Sequence, residues 1–524
     1  MNVTPSASGL YAAPAAVSVS RATPLSTLAK TSSAQVTPKS PASAVLVSLS
    51  RAPTPADIQT YTIFGSTTTA WSRPTDDAVS SLMAGNFGLP SLTARFSGLG
   101  AAMLKRFETD VDDFSQSVTF ATPGASAVAP ADLLAAADNQ INLSIKTTGG
   151  ATVELSLASQ ADGMAVQVAV SGGELNESER KALADLSGAF QEAIDGLNAL
   201  PPKLALEGLT NFNTKELLSI DFKASLRTDG KGAIQAVDFH ADSRTRALSA
   251  SGPSGTVKVD VDLSQPAILG SAPQQARAIA RYLQQVDMAG SRGRGDAALV
   301  SMFKDAFSQL NSNYGEKTAL PGREAPTAIS LNAGDHGLLS GLADFNASMT
   351  QVPDASNPMR PDEVDTFRYT LSQKTSVSGK DPRNRTIHQD RQAELDASFH
   401  RALSPGAQLL LTAAKESQFY EFVQINDQAN ASTDISYEDG TRTRASVGQS
   451  ARQSTHVQRY LMAKLESDTV QPEEGMRVND LRLLLSIIDR AEMSDDPDDA
   501  RQRDQALEAA AAMAGLPDGP AMLR

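Results

Sequence analysis

The sequence contains no cysteine, and it has only five histidines and one tryptophan among its 524 residues. Without a thiol the chain has no cysteine nucleophile, no cysteine-ligated zinc or iron–sulfur centre and no disulfide. The histidines show no His-x-x-x-His spacing and lie outside any recognisable metal motif. The sequence therefore predicts neither a metal site nor a cofactor.

Long apolar runs are also missing, because no stretch approaches the roughly 20 residues that a transmembrane helix needs. We therefore expect no transmembrane segment. The formal net charge is −14, which disfavours non-specific binding to nucleic acids and to anionic membranes. The expected partner is a protein of unknown identity and not a nucleic acid.

Several motifs of catalysis and phosphate binding are absent. The sequence has no Gly-x-Ser-x-Gly, no His-Glu-x-x-His and no Gly-x-x-x-x-Gly-Lys-Ser/Thr. It also has no Gly-x-Gly-x-x-Gly after a predicted strand. These absences disfavour an enzyme whose site is carried by a local motif.

Acidic residues are missing from the start of the chain, where Asp57 is the first. The 56 residues before it are mostly Ala, Ser, Pro, Thr and Val, with four basic residues. This composition predicts a disordered tail over 1–60. A Sec signal peptide needs a basic start and an apolar run, and the first residues have neither. Two interpretations stay open, a leaderless export segment and a passive extension.

Beyond the tail, the periodicity predicts an α+β fold built on an antiparallel sheet with packed helices. The predicted parts are a helical segment over 61–138, an antiparallel β-sheet with one helix over 139–265, a central helical block over 266–355, and a mixed β/α region of hairpins followed by C-terminal helices over 356–524.

The clearest β signal begins at Ile141, where apolar and polar residues alternate on both sides of Gly149-Gly150. This pattern predicts a hairpin, since glycine accepts the positive φ of a tight turn. Asn176 then predicts the N-cap of a helix. Further strands are expected over 164–170, 220–226, 234–241, 244–250, 257–263, 364–377, 385–399 and 417–428, and helices over 98–114, 335–349, 457–466 and 477–490. A second hairpin is predicted over 435–447, with its turn at Asp439-Gly440.

The run INLSIKTTGGATVELSL, followed by LNESERKALADLSGAFQEAIDGL, resembles uncharacterised proteobacterial proteins. In these a β-hairpin precedes a helix that opens Leu-x-x-x-Glu. The segments GDAALVSMFKDAFSQLNSNYG and LLSGLADFNASM are similar to the same group. The resemblance spans roughly residues 140–350. It implies a bacterial origin and the hairpin–helix layout, and it carries over no activity and no site residue.

The densest set of titratable side chains lies in the predicted strand 385–399 and just beyond it. If this segment is a strand, His388, Asp390, Glu394, Asp396 and His400 share one face, because side chains alternate with a period of two. They are the candidate catalytic residues. A polar strand that faces water explains the same pattern. The segment could also be helical, since its apolar residues do not decide between the two.

Three functions remain compatible with the sequence. The first is a non-catalytic bacterial protein that acts by protein interaction and is exported or associated with the envelope. The second is an enzyme whose site is assembled from scattered residues around His388 and His400. The third is a cytoplasmic structural protein. The compartment is thus cytoplasmic, or exported without a Sec signal peptide.

Overall fold

A computed structural model describes residues 68–110, 112–199, 202–227, 234–314, 329–492, 496–517 and 522. The predicted disordered tail over 1–60 lies outside these residues. The described residues all belong to one unit, which spans Phe64–Arg524.

Antiparallel pairing joins the 15 strands of the described residues into a single sheet. The strands are β1 (Thr68–Trp71), β2 (Phe114–Ala121), β3 (Asn139–Thr147), β4 (Thr152–Gln160), β5 (Gly163–Ser171), β6 (Leu217–Arg227), β7 (Ile234–Asp242), β8 (Thr245–Gly252), β9 (Gly255–Asp262), β10 (Asp344–Gln351), β11 (Thr366–Asp381), β12 (Asn384–Ala402), β13 (Phe419–Glu438), β14 (Thr441–Leu461) and β15 (Lys464–Asp480). Their order across the sheet is β1-β2-β5-β4-β3-β6-β7, and from β7 to β15 it follows the chain.

Helices pack on the sheet and on one another. In the described ranges they are α1 (Ala78–Phe87), α2 (Leu99–Lys105), α3 (Pro130–Ala136), α4 (Glu177–Asp185), α5 (Ser187–Asn198), α6 (Glu207–Thr210), α7 (Ala272–Gly293), α8 (Ala297–Leu310), α9 (Ala333–Leu338), α10 (Arg482–Glu492) and α11 (Pro497–Ala514). The coarse prediction of an antiparallel sheet with helices is confirmed, and the sheet dominates.

The predicted hairpin is β3–β4, and its turn depends on Gly150. This residue has φ +95°, which a side chain would oppose, and its N–H donates to the Thr147 carbonyl at 3.1 Å. Ile141, Leu143 and Ile145 all point to the same side of β3 and are buried. The period-two alternation therefore places every apolar side chain of the strand in the core.

The predicted cap at Asn176 is confirmed as a capping box. The side chain of Asn176 accepts a hydrogen bond from the Glu179 N–H at 2.9 Å, and Glu179 accepts one in return from the Asn176 N–H at 3.0 Å. Glu179 also accepts from the Gly149 N–H at 2.7 Å. The carboxylate of Glu179 thus caps the N-terminus of α4 and also links this helix to the β3–β4 turn by a hydrogen bond.

A large hydrophobic core runs from α1 and α2 under the sheet to β13. Two smaller clusters lie in the C-terminal part. One joins α9, α10 and α11 to β12–β14, and the other contains Tyr420, Phe422 and Tyr460 on the opposite face of the sheet. That opposite face is mostly polar, as the alternation predicts.

Four predicted helices differ from the structure. The helix predicted over 335–349 ends at Leu338, and Asp344–Gln351 is strand β10. The one predicted over 457–466 is the β14–β15 hairpin, with its turn at Met462 and Ala463. The one predicted over 98–114 is helical as far as Glu108, and Phe114 begins β2. In 477–490 the first four residues belong to β15.

The sheet passes through each predicted internal boundary of the chain. β2 pairs with β5 across residue 138, β9 with β10 across residue 265, and β10 with β11 across residue 355. That the four segments after residue 60 are separate domains stays a prediction.

Candidate functional site

Strand β12 carries all five candidate residues, and it places them on one face of the sheet. His388, Asp390, Glu394, Asp396 and His400 alternate with buried residues of the helix-covered face. The prediction of a shared face is therefore confirmed. His388 and His400 are 12 residues apart in the same strand, which is roughly 40 Å at the rise of a β-strand. They cannot belong to a single catalytic site.

His388 is held between two carboxylates. Its Nδ1 lies 2.9 Å from Asp434 Oδ1 on β13, and its Nε2 lies 2.8 Å from Asp390 Oδ2. Burial opposes the charged ring, but the hydrogen bonds to Asp434 and Asp390 outweigh it and raise the pKa of His388. The side chain is 39% exposed, so this is a partly solvated ion cluster.

Glu394 and Asp396 lie between the two histidines and contact neither of them. Glu394 is opposite Gln428 of β13, and Asp396 is opposite Asn426. Both acidic residues are exposed. They match the interpretation of a polar strand facing water.

His400 is the buried member of the candidate set. Its Nδ1 lies 2.6 Å from Asp365 Oδ1 and its Nε2 lies 3.2 Å from Glu363 Oε2, while its side chain is only 2% exposed. Burial lowers the pKa of His400, but the hydrogen bonds and charges of Asp365 and Glu363 outweigh burial, and the net shift is upward.

A second layer of contacts fixes this cluster. Tyr420 donates its O–H to Glu363 Oε2 at 2.6 Å, and its ring packs on His400 with the centroids 5.0 Å apart. Burial and then the neighbouring Glu363 raise the pKa of Tyr420, which therefore stays a hydrogen-bond donor. The connections before β11 and after β12 supply Glu363 and the cover over Tyr420.

The sequence reasoning missed Glu363, Asp365 and Tyr420. Glu363 and Asp365 are 37 and 35 residues away from His400 along the chain. The β11–β12 pairing places Thr366 opposite Ser398, and this register brings the residues just before β11 to His400. The only local signal was a group of acidic residues just before the start of β11, which does not identify a partner.

A pocket of about 640 Å³ lies beside His400. Its wall includes Arg294, Arg401, Glu421 and Arg459, and Glu421 accepts hydrogen bonds from Arg401 at 2.5 Å and from Arg459 at 2.9 Å. Because carboxylates engage both ring nitrogens of His400, the imidazolium form fits this site and leaves no basic nitrogen free. The arrangement suits a structural ion cluster better than a general base.

The outer edge of β15 is a different kind of feature. Every residue of this 17-residue strand is exposed except Gly475 and Asn479. β15 pairs with β14 on one side, and it is the last strand in the sheet order. Four large apolar side chains of the strand are exposed, with fractions of 42% for Leu465, 58% for Val470, 80% for Met476 and 70% for Val478.

Pro472 shows which backbone groups of β15 face outward. Proline has no N–H, so it fits a paired strand when its nitrogen lies on the unpaired side. Residues at even positions share this orientation over 468–480, where the pairing with β14 is regular. The outward N–H and C=O groups therefore include those of Val470, Met476 and Val478, whose side chains also share one face.

No family model, curated protein or solved structure matches the chain. The resemblance to uncharacterised proteobacterial proteins therefore stays a prediction. No helix in the described ranges is both long and apolar enough to cross a bilayer. The residues that the structure describes also contain no group of three or more His, Asp or Glu side chains arranged for a metal ion.

Proposed function

We propose that this is a non-catalytic bacterial protein that acts by binding another protein, and that the partner adds a strand to the outer edge of β15. The observation that supports this proposal is the exposure of all but two residues of the strand, with large apolar side chains at three of the positions whose backbone groups point outward. Unpaired backbone groups along a sheet edge bind extended segments by continuing the hydrogen-bond ladder.

The charges of β15 favour one class of partner. The strand contains five acidic residues and two basic ones, a net charge of −3 (2 − 5). Two copies of such an edge would repel each other, and Pro472 removes one donor from the ladder. The fitting partner is an extended segment in which basic residues meet the carboxylates and apolar residues meet Val470, Met476 and Val478.

The test uses the full-length protein and a synthetic peptide whose residues on one face are lysines opposite Asp468 and Glu474 and valines opposite Val470, Met476 and Val478. We expect binding that protects the backbone amides of Val470, Met476 and Val478 from hydrogen exchange. A peptide of the same composition with a central proline is the control ligand. Protection elsewhere in the protein, or equal binding of the proline peptide, would contradict docking on this edge.

A matched pair of variants tests the edge itself. Met476→Pro removes an outward N–H and keeps the pairing with β14, so we expect it to weaken peptide binding at least about tenfold. Leu410→Pro changes an exposed residue in the connection between β12 and β13, far from the edge in sequence, and is expected to bind as the unaltered protein does. Equal effects of the two substitutions would overturn the proposal.

The export hypothesis for residues 1–56 has its own test. Cells that express the full-length protein or a variant without these residues are fractionated, and the location of the two proteins is compared. This comparison distinguishes an exported protein from a cytoplasmic structural protein. A location that the deletion leaves unchanged overturns the export hypothesis and leaves docking on β15 untouched.

The enzyme hypothesis is retained as the second candidate function because His400 lines a pocket and has two carboxylates in hydrogen-bond reach. His400→Gln should abolish turnover of any substrate found for the protein if this hypothesis holds. Turnover that survives this substitution, with the fold intact, removes His400 from the candidate catalytic residues.

A further inference from the structure

A second pocket, of about 830 Å³, lies on the helix-covered side of the sheet. It is lined by α7, by α9 and the residues after it, by the second half of α11, by one residue each of β12 and β14, and by two residues of β15. Much of its wall is apolar, with contributions from Leu269, Met288, Leu339, Leu507, Met513 and Leu516. A volume of this size falls within the range of roughly 300–1,000 Å³ that is typical of small-molecule sites.

The charged residues of this pocket all have the same sign. Arg277, Arg281, Arg391 and Arg477 line it, and no Asp or Glu does so among the residues that the structure describes. The whole chain has 60 acidic and 46 basic residues. A lining with four arginines and no carboxylate is therefore the reverse of the average composition of this protein. The charges of Glu508 and Asp390, which lie outside the lining, act on Arg281 and Arg391 without forming an ion pair.

Arg391 is the most buried of the four, with 3% exposure. It donates to the carbonyls of Ala514 and Leu338 and to the Gln389 side chain, while its Nε has no hydrogen-bond partner. No carboxylate of the described residues forms an ion pair with it within 4.0 Å. A buried charge without a counter-ion is costly, and an anionic ligand would reduce that cost.

The C-terminal end of helix α11 offsets part of the positive charge of the pocket. Arg281 donates to the Ala511 carbonyl at 2.8 Å, and Arg391 donates to the carbonyl of Ala514, the last residue of the helix. A helix C-terminus carries the equivalent of about half a negative charge. It cannot balance four guanidinium groups. Arg277 and Arg477 make no hydrogen bond to α11 in the described residues, so their charge is available to a ligand.

We propose that this pocket binds an anionic amphiphile, a small molecule with one hydrocarbon chain and a carboxylate or phosphate head group. The apolar wall would take the chain, and Arg277, Arg477 and Arg391 would attract the head group. Planar guanidinium groups match the geometry of carboxylate and phosphate oxygens. Arg477 and Asn479 of β15 line this pocket, but the proposed function uses the outward backbone groups of that strand and the side chains at its even positions. The two proposals can therefore fail independently.

Calorimetry of the full-length protein with dodecanoate, dodecyl phosphate and dodecanol tests the proposal at concentrations below micelle formation. We expect the two anions to bind with one-to-one stoichiometry and the uncharged alcohol to bind at least about tenfold more weakly. The preferred head group distinguishes a carboxylate ligand from a phosphate ligand. Equal binding of the alcohol, or no saturable binding of either anion, would overturn the proposal.

Substitutions of exposed residues keep the test independent of folding. The double variant Arg277→Gln/Arg477→Gln removes two charges without touching the α11 carbonyls, and we expect it to weaken anion binding about tenfold or more. Arg444→Gln/Arg452→Gln removes two exposed arginines from the opposite face and is the matched control. Ala512→Trp, at an exposed position of the wall, should block binding while the melting temperature stays the same. Full affinity in both the double variant and Ala512→Trp would contradict the assignment.

Discussion

The strands from β1 to β9 and the strands from β11 to β15 belong to one sheet but differ in length and in what covers them. The first set has 4–11 residues per strand, and the second has 16–21. The inward positions of β3 are Ile141, Leu143 and Ile145, whereas those of β12 include Arg385, Gln389 and Arg391. The first set packs an apolar core against helices. The second combines a smaller apolar cluster with buried polar groups where it meets its helices.

The two sets of strands also differ in the candidate surfaces that they carry. The outer face of the short strands is exposed, with Asn142, Lys146 and Lys258 on it, as is that of the long strands. The long strands add the exposed edge of β15, and residues of the long strands line part of both pockets. The larger apolar core thus lies mostly in the N-terminal half of the sheet, and the proposed binding surfaces lie in the C-terminal half.

The largest expected effect comes from an apolar deletion in the first set of strands. Phe222 on β6 is fully buried and meets Phe190 edge-on at 6.1 Å. Phe222→Ala should lower the free energy of unfolding by about 3–5 kcal/mol. Met476→Ala on β15 should change it by less than about 0.5 kcal/mol. Denaturant titration of both variants measures the contrast, and similar losses would contradict a stability difference between the regions.

The next effect concerns the buried ion pair that fixes α9 to the long strands. Asp335 is fully buried, pairs with Arg385 and accepts a hydrogen bond from Tyr437 O–H at 2.9 Å. Asp335→Asn leaves a buried guanidinium without its counter-ion and should cost about 3 kcal/mol. Asp287→Asn, which breaks a surface pair with Lys304, should cost less than about 1 kcal/mol. Thermal unfolding of the two variants gives the comparison, and equal costs would show that α9 is not fixed in this way.

The pH dependence of stability tests the His400 cluster. The pKa of His400 is raised above the ordinary value near 6.5, so the folded state binds a proton more tightly than the unfolded chain does. The stabilisation by the cluster is complete below about pH 6.5 and is lost as the pH rises through the folded pKa. We expect His400→Gln to remove this part of the pH dependence, as measured by denaturation between about pH 5.5 and pH 9. His388→Gln, in the more exposed cluster, should remove a smaller part. A pH profile unchanged by His400→Gln would contradict the assignment.

The smallest effect is expected at the β14–β15 turn. Met462 and Ala463 have φ of +51° and +65°, although neither residue favours positive φ. Replacing them by Asn-Gly should stabilise the hairpin by about 1 kcal/mol and slow the amide exchange of β15. The β13–β14 turn already has Asp439-Gly440, a sequence that accepts positive φ. Gly440→Ala, at φ +81°, should therefore destabilise that hairpin. Unchanged exchange in β15 would show that the turn does not limit the strand.

These turns also show why the sequence predicted one hairpin and missed the next. Asp439-Gly440 is a turn signal that acts within a few residues, and it predicted the β13–β14 hairpin. The segment around Met462-Ala463 has no such signal, and its local pattern favours a helix. Pairing with β14 overrides that preference, because the ladder extends over the whole strand.

The sequence alone determined the features that depend on neighbours in the chain. The alternation in β3, the cap at Asn176 and the polar face of β12 follow from side-chain spacing and local hydrogen bonds. The tertiary structure decided which distant residues meet. Asp365 and Glu363 reach His400 through the β11–β12 register, and Arg391 meets Ala514 through the packing of α11. Such contacts depend on the closure of long loops and on burial in a shared core, neither of which leaves a periodic trace in the sequence.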